Sequence, residues 1–234
     1  MANAEKFISL YKVLEDLLEE KCREEGRSTV NAVYQYISAM GNVRFRDKLD
    51  LCRQVRNLIT HSADIDGCPP IEPSDGLMRT LEEIVSYFQK PPLVLDRATA
   101  VDRLLVATPR DRVVWLMQRM ARNGYSHVPV MENDRLTGVF SASTPFAMAM
   151  DENRLAVDDQ TRLDEVREAL RPENHRMEQF CFIDPDTTCD EARKLFVRTS
   201  PRERRVAALF VTENGQPYGR LLGMLTPWDL MEES

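Results

Sequence analysis

One phrase occurs twice in the second half of this chain, and the repeat limits which folds are open to it. Each copy starts with a proline turn, Ala107-Thr-Pro-Arg-Asp111 in the first and Ile183-Asp-Pro-Asp-Thr187 in the second. A helical stretch comes next, residues 113–120 or 190–196. A hairpin pattern succeeds it. In the first copy Val128-Pro-Val-Met131 and Leu136-Thr-Gly-Val-Phe140 flank Glu132-Asn-Asp-Arg135. In the second, Ala207-Ala-Leu-Phe-Val-Thr212 and Arg220-Leu-Leu-Gly-Met-Leu225 flank Glu213-Asn-Gly-Gln-Pro-Tyr218. The closing phrases begin Gly138-Val-Phe-Ser141 and Gly223-Met-Leu-Thr226. Short β-branched runs alternating with helices predict an α/β domain. A unit this small cannot bury a core alone, so the two copies are expected to pack on each other.

Ahead of Pro92 only helical periodicity is present. Phe7, Leu10, Tyr11, Leu14, Leu17 and Leu18 form a first stripe, ended by Gly26, with Ser28 or Thr29 able to cap the second helix. Val30, Val33, Tyr34 and Ile37 form that helix's stripe. A third helix is predicted from near Asn42 to about His61, with Phe45, Leu49, Cys52, Val55 and Ile59 on one side. After a proline- and glycine-rich loop, Ser74 caps a fourth helix whose stripe is Leu77, Leu81, Ile84, Val85 and Phe88. The expected organisation is a helical bundle over residues 1–92, a linker over 93–98, and the repeat module over 99–234, its copies dividing at about 150.

An apolar fraction of 43% and a charged fraction of 29% are ordinary for a globular protein. No apolar run could span a bilayer, and the N-terminal residues lack a signal-peptide pattern, so a cytoplasmic protein with no membrane partner is expected. The five cysteines are scattered and never spaced C-x-x-C, which suggests neither a disulfide framework nor a zinc site. A net charge of −7 argues against a large static nucleic-acid surface, and DNA is not an expected partner. Two local basic clusters stand out, Arg44 to Arg56 and Arg202-Glu-Arg-Arg205.

Residues 113–146, centred on Asn123-Gly-Tyr-Ser-His-Val-Pro-Val130, resemble a CBS motif. The second copy resembles another, ending in Gly223-Met-Leu-Thr-Pro-Trp-Asp229, which matches the family's glycine-x-x-threonine-x-x-aspartate signature. The resemblance covers about residues 97–232. It implies a tandem (Bateman) pair that takes adenosine-containing ligands, AMP, ATP or a relative, as regulators. Asp229 would accept hydrogen bonds from the ribose hydroxyls, and Thr226 with the helix start after it would hold a phosphate. Ala107, Val128 and Pro129 in the first copy, and Ile183, Ala207 and Leu209 in the second, would flank the base. The first copy carries Ser141 and Thr144 where the second has Thr226 and Asp229, so ribose recognition is expected only beside Gly223. An alternative reading makes Thr226 and Asp229 simple helix caps.

The third helix ends Arg56-Asn-Leu-Ile-Thr-His61, which resembles the motif of HEPN domains, and the resemblance covers about residues 4–90. It implies a metal-independent endoribonuclease acting as a homodimer, with Arg56, Asn57 and His61 as catalytic residues and RNA as substrate. Histidine can move a proton at the 2′- or 5′-oxygen, and arginine can stabilise the pentavalent phosphorane. Cleavage would leave a 2′,3′-cyclic phosphate, with no cofactor required. At 100° per residue Asn57 and His61 share a polar face while Arg56 lies near the apolar border, so Arg56 and His61 of one chain are not expected to meet. Arg122-Asn-Gly-Tyr-Ser-His127 matches the same spacing across a turn. His127 and His175 are read as structural or solvated. HEPN toxins under an adenylylating antitoxin carry a tyrosine two residues after the histidine; here that residue is Ala63.

The expected fold class is therefore α + α/β, a HEPN-like four-helix bundle followed by a CBS-domain pair. The expected function is a nucleotide-regulated ribonuclease. A second reading is a non-catalytic sensor whose helices only dimerise or dock a partner, and a third is an interaction module without ligand.

Overall fold

The computed structural model describes residues 3–38, 45–63, 67–150, 157–197 and 204–231. The chain divides into two compact units, Met1–Pro91 and Pro92–Ser234.

In the first unit α1 (Asn3–Glu24), α2 (Ala32–Ser38), α3 (Arg46–His61) and α4 (Asp75–Gln89) surround one apolar core. Phe7, Tyr11, Leu14, Leu18 and Cys22 of α1 recur every three or four residues, so all five fall on the buried face. Gly26 ends that helix in the left-handed conformation (φ +65°), which lets the Arg27 N–H donate to the Cys22 carbonyl at 2.8 Å. Ser74 caps α4 as expected, accepting from the Leu77 N–H at 3.3 Å. Met78, Leu81, Ile84 and Val85 then face the core.

The second stripe is turned from its expected position. Val30 and Tyr34 are 70% and 55% exposed, while Ala32, Val33 and Tyr36 are buried. Val30 lies outside the helix, which starts at Ala32 after the left-handed Asn31 (φ 55°). Within it the core face runs through Ala32, Val33, Tyr36 and Ile37, leaving Tyr34 outside. The predicted start of the third helix at Asn42 lies outside the described residues, as do Arg44 and Arg202 of the two basic clusters. Described α3 begins at Arg46; Leu49 and Cys52 are fully buried, with Phe45, Val55 and Ile59 packed beside them.

In the second unit the first copy contributes α5 (Val113–Asn123), the hairpin β2 (His127–Glu132) and β3 (Arg135–Ser141), and α6 (Thr144–Ala149). A short helix α7 (Arg167–Leu170) precedes the second copy. That copy supplies β4 (Glu178–Ile183), α8 (Cys189–Val197), β5 (Arg205–Thr212) and β6 (Leu221–Leu225). With β1 (Thr99–Ala100), its strands form a sheet ordered β1-β6-β5-β4, in which β4 and β5 run parallel. Mixed helix and sheet is thus observed, and the repeat's hairpins lie where the sequence placed them.

Residues 93–98 are not a linker. Val94 and Ala98 belong to the second copy's core with Ile183, Cys189 and Leu209. The Val94 N–H donates to Thr187 O, and the Cys189 N–H to Pro92 O, both at 2.9 Å. The first copy is braced in the same way from the other side: the Val113 N–H donates to Thr161 O and the Leu163 N–H to Asp111 O, both at 3.0 Å. The stretch ahead of each copy therefore completes the other. The repeated glycines mark these crossings. A Cβ on Gly138 would lie 2.9 Å from Leu170 Cβ, and one on Gly223 would lie 3.0 Å from Thr99 O.

The two copies also share a core. Leu136 and Val139 of the first cluster with Phe180, Ala208, Phe210 and Leu221 of the second. Among the described residues no helix is long and apolar enough to cross a membrane. Cys22, Cys52 and Cys189 are buried free thiols, and burial pushes the Cys52 thiol up to about 11.

Candidate functional site

Three groups of residues in the two units invite ligands. In the first unit they gather on α3 and α1. Arg56 Nη1 lies 3.4 Å from His61 Nε2 and 3.3 Å from Asn57 Oδ1. The expectation that Arg56 and His61 of one chain stay apart is therefore corrected. A straight helix separates their Cα positions, but the long arginine side chain bridges the five-residue spacing. Its other terminal nitrogen lies 3.4 Å from Glu15 Oε1 on α1, and its guanidinium carbon lies 5.8 Å from the Tyr11 ring centroid. Burial, first, and the Glu15 charge push the Tyr11 hydroxyl well above its ordinary range. A pocket of about 310 Å³ opens here, with Tyr11, Glu15, Tyr34, Arg53, Arg56 and Asn57 in its wall. His61 is exposed beside it and is not a wall residue.

In the second copy Thr226 and Asp229 bind each other. Asp229 Oδ2 accepts from the Thr226 N–H at 2.6 Å and from its hydroxyl at 2.7 Å. Together they cap the four-residue 3-10 helix Pro227–Leu230, a much shorter element than the helix expected there. The remaining oxygen, Oδ1, has no partner among the described residues. The first copy repeats this local design without a carboxylate: the Ser141 N–H donates to Thr144 Oγ1 at 2.9 Å.

The expected base-flanking residues are mostly closed off. Ala107, Val128 and Leu209 have 0% exposure, Ser141 and Thr144 are buried, and so are Pro129 and Ile183; Ala207 is partly exposed. Ala107 and Val128 pack into the first copy's apolar cluster, Ile183 and Leu209 into the second copy's, and Ala207 against the cluster the copies share. Gly223 is held as glycine by the chain crossing at Thr99 rather than by any ligand contact.

The larger cavity, about 920 Å³, lies beside α6 and α7. Ser143, Met148, Arg167, Arg171, His175 and Arg176 are in its wall, with acidic Asp164, Glu165 and Glu168. Arg171 is paired with Glu168 at 3.1 Å, whereas Arg176 has no ionic partner among the described residues. None of the residues expected to hold a nucleotide lines this cavity. The available signal was the arginine spacing 167, 171, 176, four and five residues apart between the copies.

Below its wall a polar network joins the copies. Glu178 Oε2 lies 2.8 Å from His127 Nε2, and Glu178 Oε1 accepts from the Ser143 hydroxyl at 2.6 Å. His127 Nδ1 in turn lies 2.8 Å from Ser126 Oγ. His175 places Nδ1 3.5 Å from Glu178 Oε1 and Nε2 3.1 Å from Val139 O, while Arg204 donates to its carbonyl. Burial pushes the Glu178 carboxyl up, but bonds from His127, His175, Ser141 and Ser143 outweigh it and hold the group far below the usual carboxylate range. His127 and His175 are thus tied into a structural network, His175 buried and His127 partly exposed. The control motif ending at His127 spans the α5 terminus and the start of β2, so its spacing carries no catalytic geometry.

The second unit is thus a two-copy module whose copies exchange their bracing segments and share one apolar cluster. The CBS domain family model matches residues 90–144 and 175–234, and the second unit is a tandem CBS pair. Among solved structures, a conserved domain from Neisseria meningitidis MC58 is similar at 19% identity, covering 81% of this chain and 100% of that one, with a TM-score of 0.44. The CBS-pair protein CBSX2 from Arabidopsis thaliana is similar at 18% identity, covering 60% and 92%, with a TM-score of 0.43. A structure of CBSX2 in complex with AMP is similar at 19%, covering 59% and 92%, with a TM-score of 0.40. No curated protein matches the sequence.

Proposed function

We propose that the CBS pair binds an adenine nucleotide, AMP, ATP or a relative, and that this ligand regulates a HEPN-like, metal-independent endoribonuclease in the first unit. The observation that carries the sensing half is the 920 Å³ cavity, whose arginines share a wall with the half-buried Ser143 hydroxyl and the buried His175 imidazole within a CBS pair. Arg176 supplies a guanidinium with no ionic partner for a phosphate. Asp229 Oδ1 offers a second contact for ribose hydroxyls at the other copy. Support for the nuclease half comes from Arg56, Asn57 and His61, which gather on one chain beside an open pocket. There His61 would move the proton and Arg56 would stabilise charge on the phosphorane. The reaction runs in a homodimer, in the cytoplasm.

A second reading, a non-catalytic sensor whose helices only dimerise or dock a partner, draws on one contact. Glu15 already neutralises Arg56, as it would in a purely structural pair. Coupling in either case requires the nucleotide to prefer one arrangement of the dimer.

Two measurements on the purified chain test this. Calorimetric titration with AMP and ATP is expected to show binding that weakens about tenfold in Arg176→Ala, the loss of one charge-assisted hydrogen bond. Equal affinity in Arg176→Ala beside lost binding in Asp229→Ala would move the ligand to the second copy. Incubation with RNA, with and without nucleotide, is expected to give cleavage that falls about 10²–10⁴-fold in His61→Ala. No cleavage under any condition selects the non-catalytic sensor.

A further inference from the structure

The 310 Å³ pocket of the first unit holds more recognition chemistry than cleavage of a phosphodiester uses. Two arginine–tyrosine pairs stand side by side in it. Arg56 lies over Tyr11, and Arg53 lies over Tyr34 with its guanidinium carbon 5.9 Å from the ring centroid. Arg53 is fixed there by Asp50, whose Oδ1 accepts from Nε at 2.9 Å and from a terminal nitrogen at 2.7 Å. Tyr34 is nevertheless 55% exposed, so its ring offers open aromatic surface beside a held cation. The tyrosine is not needed by the core, because α2 packs through Ala32, Val33 and Tyr36 instead.

Amides complete the wall. Asn57 Oδ1 accepts from Arg56, leaving its NH₂ group without a partner among the described residues. Asn31, in the left-handed conformation just ahead of α2, is a wall residue as well. Free amide donors and acceptors match the polar edge of a nucleobase, and an aromatic ring matches its face. A volume of about 310 Å³ lies at the small end of ligand sites, enough for one base with its sugar and too little for a duplex.

We propose that this pocket seats one unpaired RNA base, stacked on Tyr34 and edge-bonded by Asn57 and Asn31, next to the cleavage centre. The proposal rests on the ribonuclease reading above and names its substrate class, single-stranded RNA read one base at a time. Charge sharpens it. The two pocket arginines are each paired with an acid, Asp50 or Glu15, and the chain carries a net charge of −7. Binding therefore depends on stacking more than on phosphate neutralisation, and its salt dependence is shallow.

The test uses the full chain and a short RNA carrying one 5-iodouridine, with 2′-O-methyl groups that remove the attacking hydroxyl. Irradiation is expected to cross-link the iodouridine to Tyr34. Affinity is expected to fall about tenfold in Tyr34→Ala and to be kept in Tyr34→Phe, since the stacking face survives. Undiminished binding in Tyr34→Ala, or cross-linking confined to other residues, overturns the base pocket. An unmodified RNA separates the two readings. A Tyr34 cross-link without any cleavage removes the nuclease and leaves the pocket standing. Cleavage that His61→Ala abolishes, with binding indifferent to Tyr34, removes the pocket alone.

Discussion

Replacing Glu178 with alanine is expected to lower the unfolding free energy of the second unit by about 3–5 kcal/mol, because it strips one partner from a buried ionisable network. Glu178 is held by His127 and Ser143 of the first copy and lies near His175 just ahead of its own strand. Without it, His127 Nε2 and the Ser143 hydroxyl lose their acceptor, and each orphaned polar group adds its own desolvation cost. Both tryptophans, Trp115 and Trp228, lie in this unit, so urea unfolding followed by their fluorescence reports it selectively. The sign of the pH dependence comes from the depressed carboxyl. A carboxylate held below its unfolded value contributes stability above that value and loses it as pH falls toward the folded one. The gap between wild type and Glu178→Ala is thus widest at neutral pH and narrows below about pH 4. A gap that stays constant down to strongly acidic pH, or a neutral-pH loss under about 1 kcal/mol, would show that the network is not a stabilising element.

None of those contacts was legible in the chain. Glu178 and His127 are 51 residues apart, and no periodicity pairs a strand-start glutamate with a histidine after a glycine turn. What the repeat did reveal was local: turn, helix, hairpin and closing glycine, because each is specified by neighbours in sequence. The exchanged braces were hidden for the same reason. Val94 and Ala98 sit in a short stretch with no clear period, and only the fold shows that it completes the opposite copy. In the helical unit a side chain reaches farther than helical spacing implies. The 100° rule placed Arg56 and His61 apart by counting Cα positions, and the reach of the arginine side chain closed that distance. The ring of Tyr34 fits a helical stripe, and the stripe predicts a place in the core. The buried face of α2 instead passes through Ala32, Val33 and Tyr36, which leaves that ring at a pocket.

Phe210→Ala tests whether the two copies form one cooperative body. Phe210 is fully buried, with ring centroids 5.8 Å from both Phe180 and Phe182. Its cluster draws Leu136 and Val139 from the first copy, so the cavity left by alanine would weaken the contact between copies as well as the second copy itself. Truncating a fully buried phenylalanine costs about 3–5 kcal/mol, the transfer of the ring plus the unfilled cavity. Phe146→Ala serves as the comparison: that ring is 59% exposed, and its loss is expected to change stability by no more than about 0.5 kcal/mol. Forms retaining a single tryptophan read the copies separately, Trp115 on α5 for the first and Trp228 after β6 for the second. If each copy depends on the other for its core and its brace, both probes shift to the same lower urea midpoint in Phe210→Ala. A Trp115 transition that keeps its wild-type midpoint while the Trp228 transition falls would mean that the copies fold independently, and that the shared cluster couples nothing.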